Sequence, residues 1–349
     1  MTRLSPARYF GFLGLCTFLL LAVILISPGI GTESHHFGLF DAWRSYFQRD
    51  TDALAYRIGF VLRMPRTLLA LQAGITLGLC GAVFQTLFRN PLATPYTLGV
   101  ASGGSLGAVV AIKIGLQVSL FGVSGISLAA FAGALLVIGL VFLFTRGARR
   151  FTTTELLLAG VTMGLFCSAM MMFIQYLSTE RQTFAMVRWM MGSVVSIGMK
   201  ESISNLPLFL PSWLVLILSA KSLNQYAIGE EIARSRGVHV ARLQVVCILF
   251  ASLATAAVVA ACGPIGFVGL VVPQLAALIV GHDCRILLPA SALIGGVFLA
   301  LCDWISQLVL GWAGALIDQP LGSTQLPTGV VTAIVGVPIF LSLLYRRSQ

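Results

Sequence analysis

The chain has 349 residues, of which 58% are hydrophobic and only 10% charged, with 36 glycines and a mean hydropathy of +0.95. A soluble domain carries roughly a quarter charged residues, so the composition excludes one and describes an integral membrane protein. The formal net charge of +10 needs no nucleic acid, because cations flanking apolar spans meet anionic lipid headgroups.

Spanning strands would alternate apolar and polar residues, whereas the runs 10–26 and 126–144 are apolar nearly throughout and fit helices of roughly 20 residues. The first run follows Arg3 and Arg8 but is longer than a usual signal core, and "ISPGIGTES" offers no clear cleavage site. It is therefore the first span. About ten spans are predicted, near 9–27, 66–88, 97–115, 123–145, 154–177, 203–220, 241–262, 266–281, 286–309 and 327–345, in one membrane domain covering 1–349. An even count puts both termini on one side. With that side cytoplasmic, thirteen of the 22 Lys and Arg lie inside, among them the cluster Arg146, Arg149 and Arg150, as the positive-inside rule expects. The segment 28–66 is the exception, with Arg44, Arg49, Arg57, Arg63 and Arg66 outside.

Two stretches are broken by proline and glycine: Arg89–Gly104, with Asn90, Pro91 and Pro95, and Cys262–Pro273, with Gly263 and Pro264. Non-helical backbone at membrane depth requires shielding by protein or a water-filled cavity, and one broken segment in each half fits a transporter built from two halves. No repeat aligns between them. Elsewhere the pairs Gly74/Gly78, Gly99/Gly103, Gly103/Gly107 and Gly160/Gly164 predict close helix packing.

Seven cysteines without C-x-x-C spacing read as small buried hydrophobes. The histidines do not cluster, His35 and His36 being adjacent in a loop, so no metal site is expected. The clearest ionisable groups in the spans, Glu155 and Asp303, stand near predicted helix ends without an evident partner. An enzyme would need converging acids, a metal set or an activated nucleophile, and an ion-coupled carrier would bury charges at mid-membrane. What remains is a pore-forming subunit energised from outside its chain. No G-x-x-x-x-G-K-[ST] loop is present, so any ATP would have to be hydrolysed by a partner.

Residues 221–240 form a polar island between two spans. Glu230 and Arg234 are spaced as a helical pair with the acid leading, Glu230 and Glu231 suit a first turn and Arg234 and Arg236 a last one, and Gly237 is placed to end the helix. Ile232 and Val238 offer apolar contact. The residues alone leave two readings open, a helix docking into another protein and a solvated helix that touches nothing.

Six blocks in order then carry a resemblance: residues 63–108 ("RMPRTLLALQAGITLGLCGAVFQTLFRNPLATPYTLGVASGGSLGA"), 155–164 ("ELLLAGVTMG"), 189–193 ("WMMGS"), 228–238 ("IGEEIARSRGV"), 263–296 (opening "GPIGFVGLVVP") and 326–344 ("LPTGVVTAIVGVPIFLSLL"). Over about 60–346 the chain resembles the FecCD family of permeases from iron-siderophore, haem and vitamin B12 ABC importers. The resemblance implies an all-α fold of ten spans per subunit, the type II importer fold, in a bacterial cytoplasmic membrane. It implies as partners a second permease subunit, identical or not, two cytoplasmic ATPases holding ATP-Mg, and an external binding protein. No cofactor would be bound by this chain and no covalent chemistry done. Ferric siderophore is the expected cargo, with haem or cobalamin as alternatives and a passive or ion-coupled carrier as the competing class.

By the same resemblance, Gly229, Glu230, Glu231, Ile232, Arg234, Arg236 and Gly237 form the ATPase-docking helix. Thr153 and Thr154 stand at the cytoplasmic gate, a role that helix capping ahead of Glu155 shares. Arg63 and Arg66 face acidic residues of the binding protein, where lipid snorkelling is the alternative. This chain departs from the pattern in three places: Gln307 stands where a third basic partner is expected, and Gln274 and Ala277 follow Pro273 where many relatives have His and Arg. Met170, Met171, Met172, Met190 and Met191 fit core filling or a passage for a bulky ligand.

Overall fold

A computed structural model describes residues 6–31, 38–116, 118–120, 123–145, 153–196, 198–316 and 325–348. His35, His36 and the Arg146, Arg149 and Arg150 cluster lie outside the described residues, as does the side chain of Thr153. The helices run in the order α1 (Pro6–Ile26), α2 (Leu39–Phe47), α3 (Leu54–Tyr56), α4 (Met64–Phe88), α5 (Val100–Lys113), α6 (Gly125–Thr145), α7 (Thr153–Tyr176) and α8 (Glu180–Met190). They continue as α9 (Met199–Ser204), α10 (Leu206–Leu218), α11 (Ala220–Ile228), α12 (Glu230–Ser235), α13 (Val240–Cys262), α14 (Val268–Val280), α15 (Cys284–Leu316) and α16 (Thr328–Ser348). A two-residue antiparallel ladder between Ser119–Leu120 and Val123–Ser124 joins α5 to α6.

All ten predicted spans fall on apolar helices. Among the described residues, seven helices are long and apolar enough to cross a membrane alone, α10 and α11 form a pair bent by 47°, and α5 and α14 are shorter. The two short ones follow the two backbone breaks, which take up the missing length. Segment 28–66 differs from the expected loop: it holds α2 and a seven-residue π-helix (Arg57–Arg63) that feeds directly into α4. A π-turn misaligns successive hydrogen bonds and is rare beyond a single turn.

α4 is the axis of the bundle. It lies against α10, α13, α14 and α15 and buries most of its length, because small residues line it. A Cβ on Gly74 would come 2.2 Å from the Gly295 carbonyl oxygen, and one on Gly78 2.3 Å from that of Ser291. Lipid offers no hydrophobic drive for association, so close backbone approach and van der Waals contact hold the pair. α5 and α6 repeat the device, with Gly103 and Gly133 facing one another's carbonyls.

Gly74→Ala is therefore expected to push α4 from α15 and cost about 1–3 kcal/mol, read as a lower melting temperature in detergent. Gly139→Ala in α6, where an added Cβ meets nothing within 4 Å, should leave stability unchanged or slightly raised.

Candidate functional site

Three places combine irregular backbone or polar groups with position in the bundle. The first is where the two breaks meet. α4 stops at Phe88 because Arg89 adopts a left-handed conformation (φ 49°), ahead of Pro91. Asn90 then folds the turn, its Oδ1 accepting from the Leu92 N–H at 2.9 Å, and Pro95–Leu98 form a 3₁₀ turn before α5. The second break begins at Gly263 (φ 69°) and ends at Phe267 (φ 67°), a bulky residue in a region that favours glycine. The breaks satisfy each other: the Tyr96 hydroxyl accepts from the Ile265 N–H at 3.1 Å. The Cys262 carbonyl accepts from the Ser193 N–H at 2.7 Å. A cavity of about 160 Å³ lies between them, lined by Leu77, Tyr96, Ile265 and Phe267 among others.

Within α14, Pro273 has no N–H to give the Gly269 carbonyl one turn back. Gln85 of α4 supplies the missing donor, its Nε2 lying 3.2 Å from the Gly269 oxygen and 3.1 Å from that of Leu270. The Gln274 amide in turn donates to Gln85 Oε1. Gln274, one of the departures from the family pattern, is thus the residue that orients the Gln85 amide. Ala277 lines a neighbouring cavity of about 230 Å³ with Gln85, Arg89, Asn90 and His282.

The second place is the end of the bundle that carries Arg66. Asp303 was expected near a helix end without a partner. Instead it lies well inside the 33-residue α15, fully buried, and is the centre of a network. Arg66 Nε and Nη2 donate to its two oxygens at 2.9 and 2.8 Å, and Gln307 Nε2 and Thr328 Oγ1 donate at 2.8 and 2.9 Å. Arg66 also donates to Gln325. The signal missed in the sequence was non-local, since Arg66 and Asp303 are 237 positions apart. Gln307, standing where a basic residue was expected, is turned inward onto this carboxylate. Arg63 Nη1 donates to the Pro28 carbonyl at 3.1 Å, so neither arginine of the R-x-P-R block projects as an unengaged cation.

The third place is the opposite end. Arg89 Nη2 donates to the Tyr226 carbonyl at 2.6 Å and its guanidinium lies 4.9 Å from the Tyr226 ring, tying the foot of α4 to α11. α12 follows directly. Its spacing behaves as predicted: Arg234 pairs with Glu230 at 2.5 Å, and Gly237 closes the turn with φ 82°. Ala233 is buried and anchors the helix, and Val238 packs inward, whereas Ile232 is 40% exposed between Glu230, Glu231, Arg234 and Arg236. Of the expected gate residues, Thr153 begins α7 and Thr154 and Glu155 are exposed. Met171 fills a small core with Met186 and Val109, while Met172 points outward.

The FecCD transport family matches residues 19–346. The chain belongs to that family. It is 35% identical to an uncharacterised ABC transporter permease, YvrB, of Bacillus subtilis, over 99% of this chain and 96% of that one. It is 37% identical to the vitamin B12 import permease BtuC of Salmonella paratyphi A, over 82% and 83% of the two chains. Among solved structures, an inward-facing conformation of an ABC transporter assigned to the metal-chelate type superposes with a TM-score of 0.79 at 30% identity, covering 97% of this chain and 99% of that one. This permease subunit of an ABC importer has an almost all-helical fold similar to that of a metal-chelate type ABC transporter, with seven helices, or eight counting the bent pair, long and apolar enough to cross a membrane among the described residues. It is not itself an enzyme, and in the family the ATPase is a separate subunit.

The Gln85 bridge makes a reciprocal prediction for the permease. Gln85→Leu should cost about 1–3 kcal/mol by leaving the Gly269 carbonyl, which Pro273 cannot serve, without a donor. Pro273→Ala restores the helical N–H and should recover much of that loss in the double variant, a coupling readable by a thermal-melt double-mutant cycle. A second test concerns Asp303: Asp303→Ala leaves the Arg66 guanidinium uncompensated at a largely buried site and should cost about 3 kcal/mol. The conservative Asp303→Asn should cost less.

Proposed function

We propose that this permease pairs with a second permease subunit, identical or related, to form a pathway for a bulky metal chelate, and that its cargo is a ferric siderophore. Both termini face the cytoplasm of a bacterial cell, placing α12 inside and the Arg66 end outside. Two cytoplasmic ATPases grip the α12 helices of the two permeases, with Ile232 as the apolar contact and Glu230, Glu231, Arg234 and Arg236 around it. ATP-Mg binding and hydrolysis in those partners alter the separation of the docked helices, and the pathway alternates between outward and inward access, with Thr153 and Thr154 at the cytoplasmic gate. An external binding protein delivers the cargo at the Arg66 end.

The observation that carries this reading is the likeness along almost the whole chain to a metal-chelate type ABC transporter. A second reading, cobalamin import, is favoured by the 37% identity with vitamin B12 permeases. Co-purifying the complex and identifying the compound held by its binding protein separates the two: an iron chelate supports the first reading, a corrinoid the second.

Docking at α12 has its own test. Ile232→Asp or Glu231→Arg places an unpaired polar group in the contact and should reduce ATPase retention about tenfold or more, with the spans still folded. Unchanged retention and uptake in both variants contradicts docking at α12. At the other end, Arg63→Glu is the informative reversal, because Arg66→Glu would set a second carboxylate against Asp303 and disturb the fold. Arg63→Glu should weaken binding-protein capture at low ionic strength, where charge steering is strongest. Capture equal to that of the unmodified permease contradicts a docking role for Arg63.

A further inference from the structure

Helix α2 was not anticipated from the sequence, and the role proposed for the permease does not use it. It is a built element: Asp41 Oδ2 caps the start by accepting from the Gly38 N–H at 2.8 Å. One side is packed, with Ala42 and Ser45 buried and the Ala42 Cβ against Gly59, where an added Cβ would lie 3.2 Å away. At 3.6 residues per turn, Tyr46, Leu39, Trp43, Phe47 and Phe40 form a continuous arc of about 120° next to that side, and Arg44, Gln48 and Asp41 form the polar arc beyond. The apolar arc is only half used. Trp43 packs on Phe60 at 5.1 Å, yet Phe47 is 76% and Phe40 87% exposed.

Its depth is fixed by a hydrogen bond. The Trp43 indole N–H donates to the Leu25 carbonyl at 3.0 Å, in the last turn of the apolar span α1. Leu15, Phe18, Leu21 and Leu25 on α1 are themselves exposed in the isolated chain. The apolar arc of α2 therefore turns toward the end of a membrane span, and the polar arc turns away from it.

We propose that α2 is an interfacial helix, lying in the headgroup and upper acyl region of the phospholipid leaflet at the Arg66 end, with Phe40 and Phe47 inserted and Arg44, Gln48 and Asp41 in water. The occupant of this face is lipid. A tryptophan with its ring against apolar groups and its N–H bonded belongs at that depth, and exposed aromatics on one arc with charges on the next are the pattern of a helix lying in the membrane plane. The helix thereby anchors the π-helical lead into α4, through Tyr46 stacked on Phe60 at 4.7 Å and on Tyr56 at 6.4 Å.

The test uses the full transporter complex in nanodiscs of phosphatidylethanolamine and phosphatidylglycerol. Phe40→Cys, Phe47→Cys and Gln48→Cys each receive a nitroxide, and collisions with oxygen and with a water-soluble nickel chelate are compared. The ratio of oxygen to nickel accessibility at positions 40 and 47 should exceed that at 48 by about threefold or more, as expected for the headgroup and acyl boundary. In the unmodified chain, hydroxyl-radical footprinting should label Phe40 and Phe47 slowly in nanodiscs despite their exposure on the protein. Nickel accessibility at 40 and 47 equal to that at 48, or rapid radical labelling of both phenylalanines, overturns the proposal. Protection that arises only when the binding protein is added assigns the face to protein docking and overturns it equally.

Discussion

In hydrocarbon there is no water to satisfy a backbone N–H or C=O, so each interruption of a spanning helix has to be repaired by the protein itself. The architecture of this permease follows from two such interruptions. The first break lends the second a hydroxyl, Tyr96 to the Ile265 N–H, and α4 lends α14 an amide, Gln85 to the Gly269 carbonyl that Pro273 leaves unpaired. One repair is an acceptor, the Tyr96 hydroxyl, and the other a donor, the Gln85 amide, and both come from α4 or the turn that follows it. The repairs also place short helices and a small cavity between α4 and the Gly263–Phe267 segment, where the chain is irregular at depth. Irregular backbone of this kind marks the interior of transporters.

The two ends of the bundle are finished in opposite ways. At the Arg66 end, charge is turned inward: Asp303 collects donors from α4, α15 and α16, and the side chain of Arg66 is only 13% exposed. A bidentate arginine pair with every carboxylate oxygen bonded holds a fixed geometry. At the other end charge is turned outward. The Glu230–Arg234 pair is largely exposed and contributes little to stability, and Ile232 stands uncovered among charges. A helix whose anchor, Ala233, is buried but whose outer face carries an apolar residue ringed by polar ones has the composition of a contact surface.

How much of this was legible depended on whether the signal was local. Hydrophobic runs located the apolar helices, and acid-to-base spacing with Gly237 located α12, because each is written in consecutive residues. The amphipathic α2 was passed over as loop. Its nine residues form too short a period beside five scattered arginines, and its inner face carries only Ala42 and Ser45. The break after the second span was placed at Arg89 from its prolines, and the structure adds that Arg89 itself turns left-handed and bonds to Tyr226. Asp303 was the largest miss. A buried carboxylate is interpretable only with its partners, and those partners lie on three helices. Gln274 and Gln307 looked like losses of charge, and the structure gives each an oriented amide with a specific oxygen to serve.

The central claim is that this chain moves its cargo only when ATP is hydrolysed elsewhere in the complex. The direct measurement is uptake into proteoliposomes holding the permease, its ATPase and its binding protein, with nucleotide either enclosed or omitted and ion gradients collapsed. Accumulation that needs enclosed ATP-Mg and stops when the ATPase is catalytically dead is the expected result. Uptake at full rate without nucleotide, or uptake that follows an imposed proton or sodium gradient, would contradict the account.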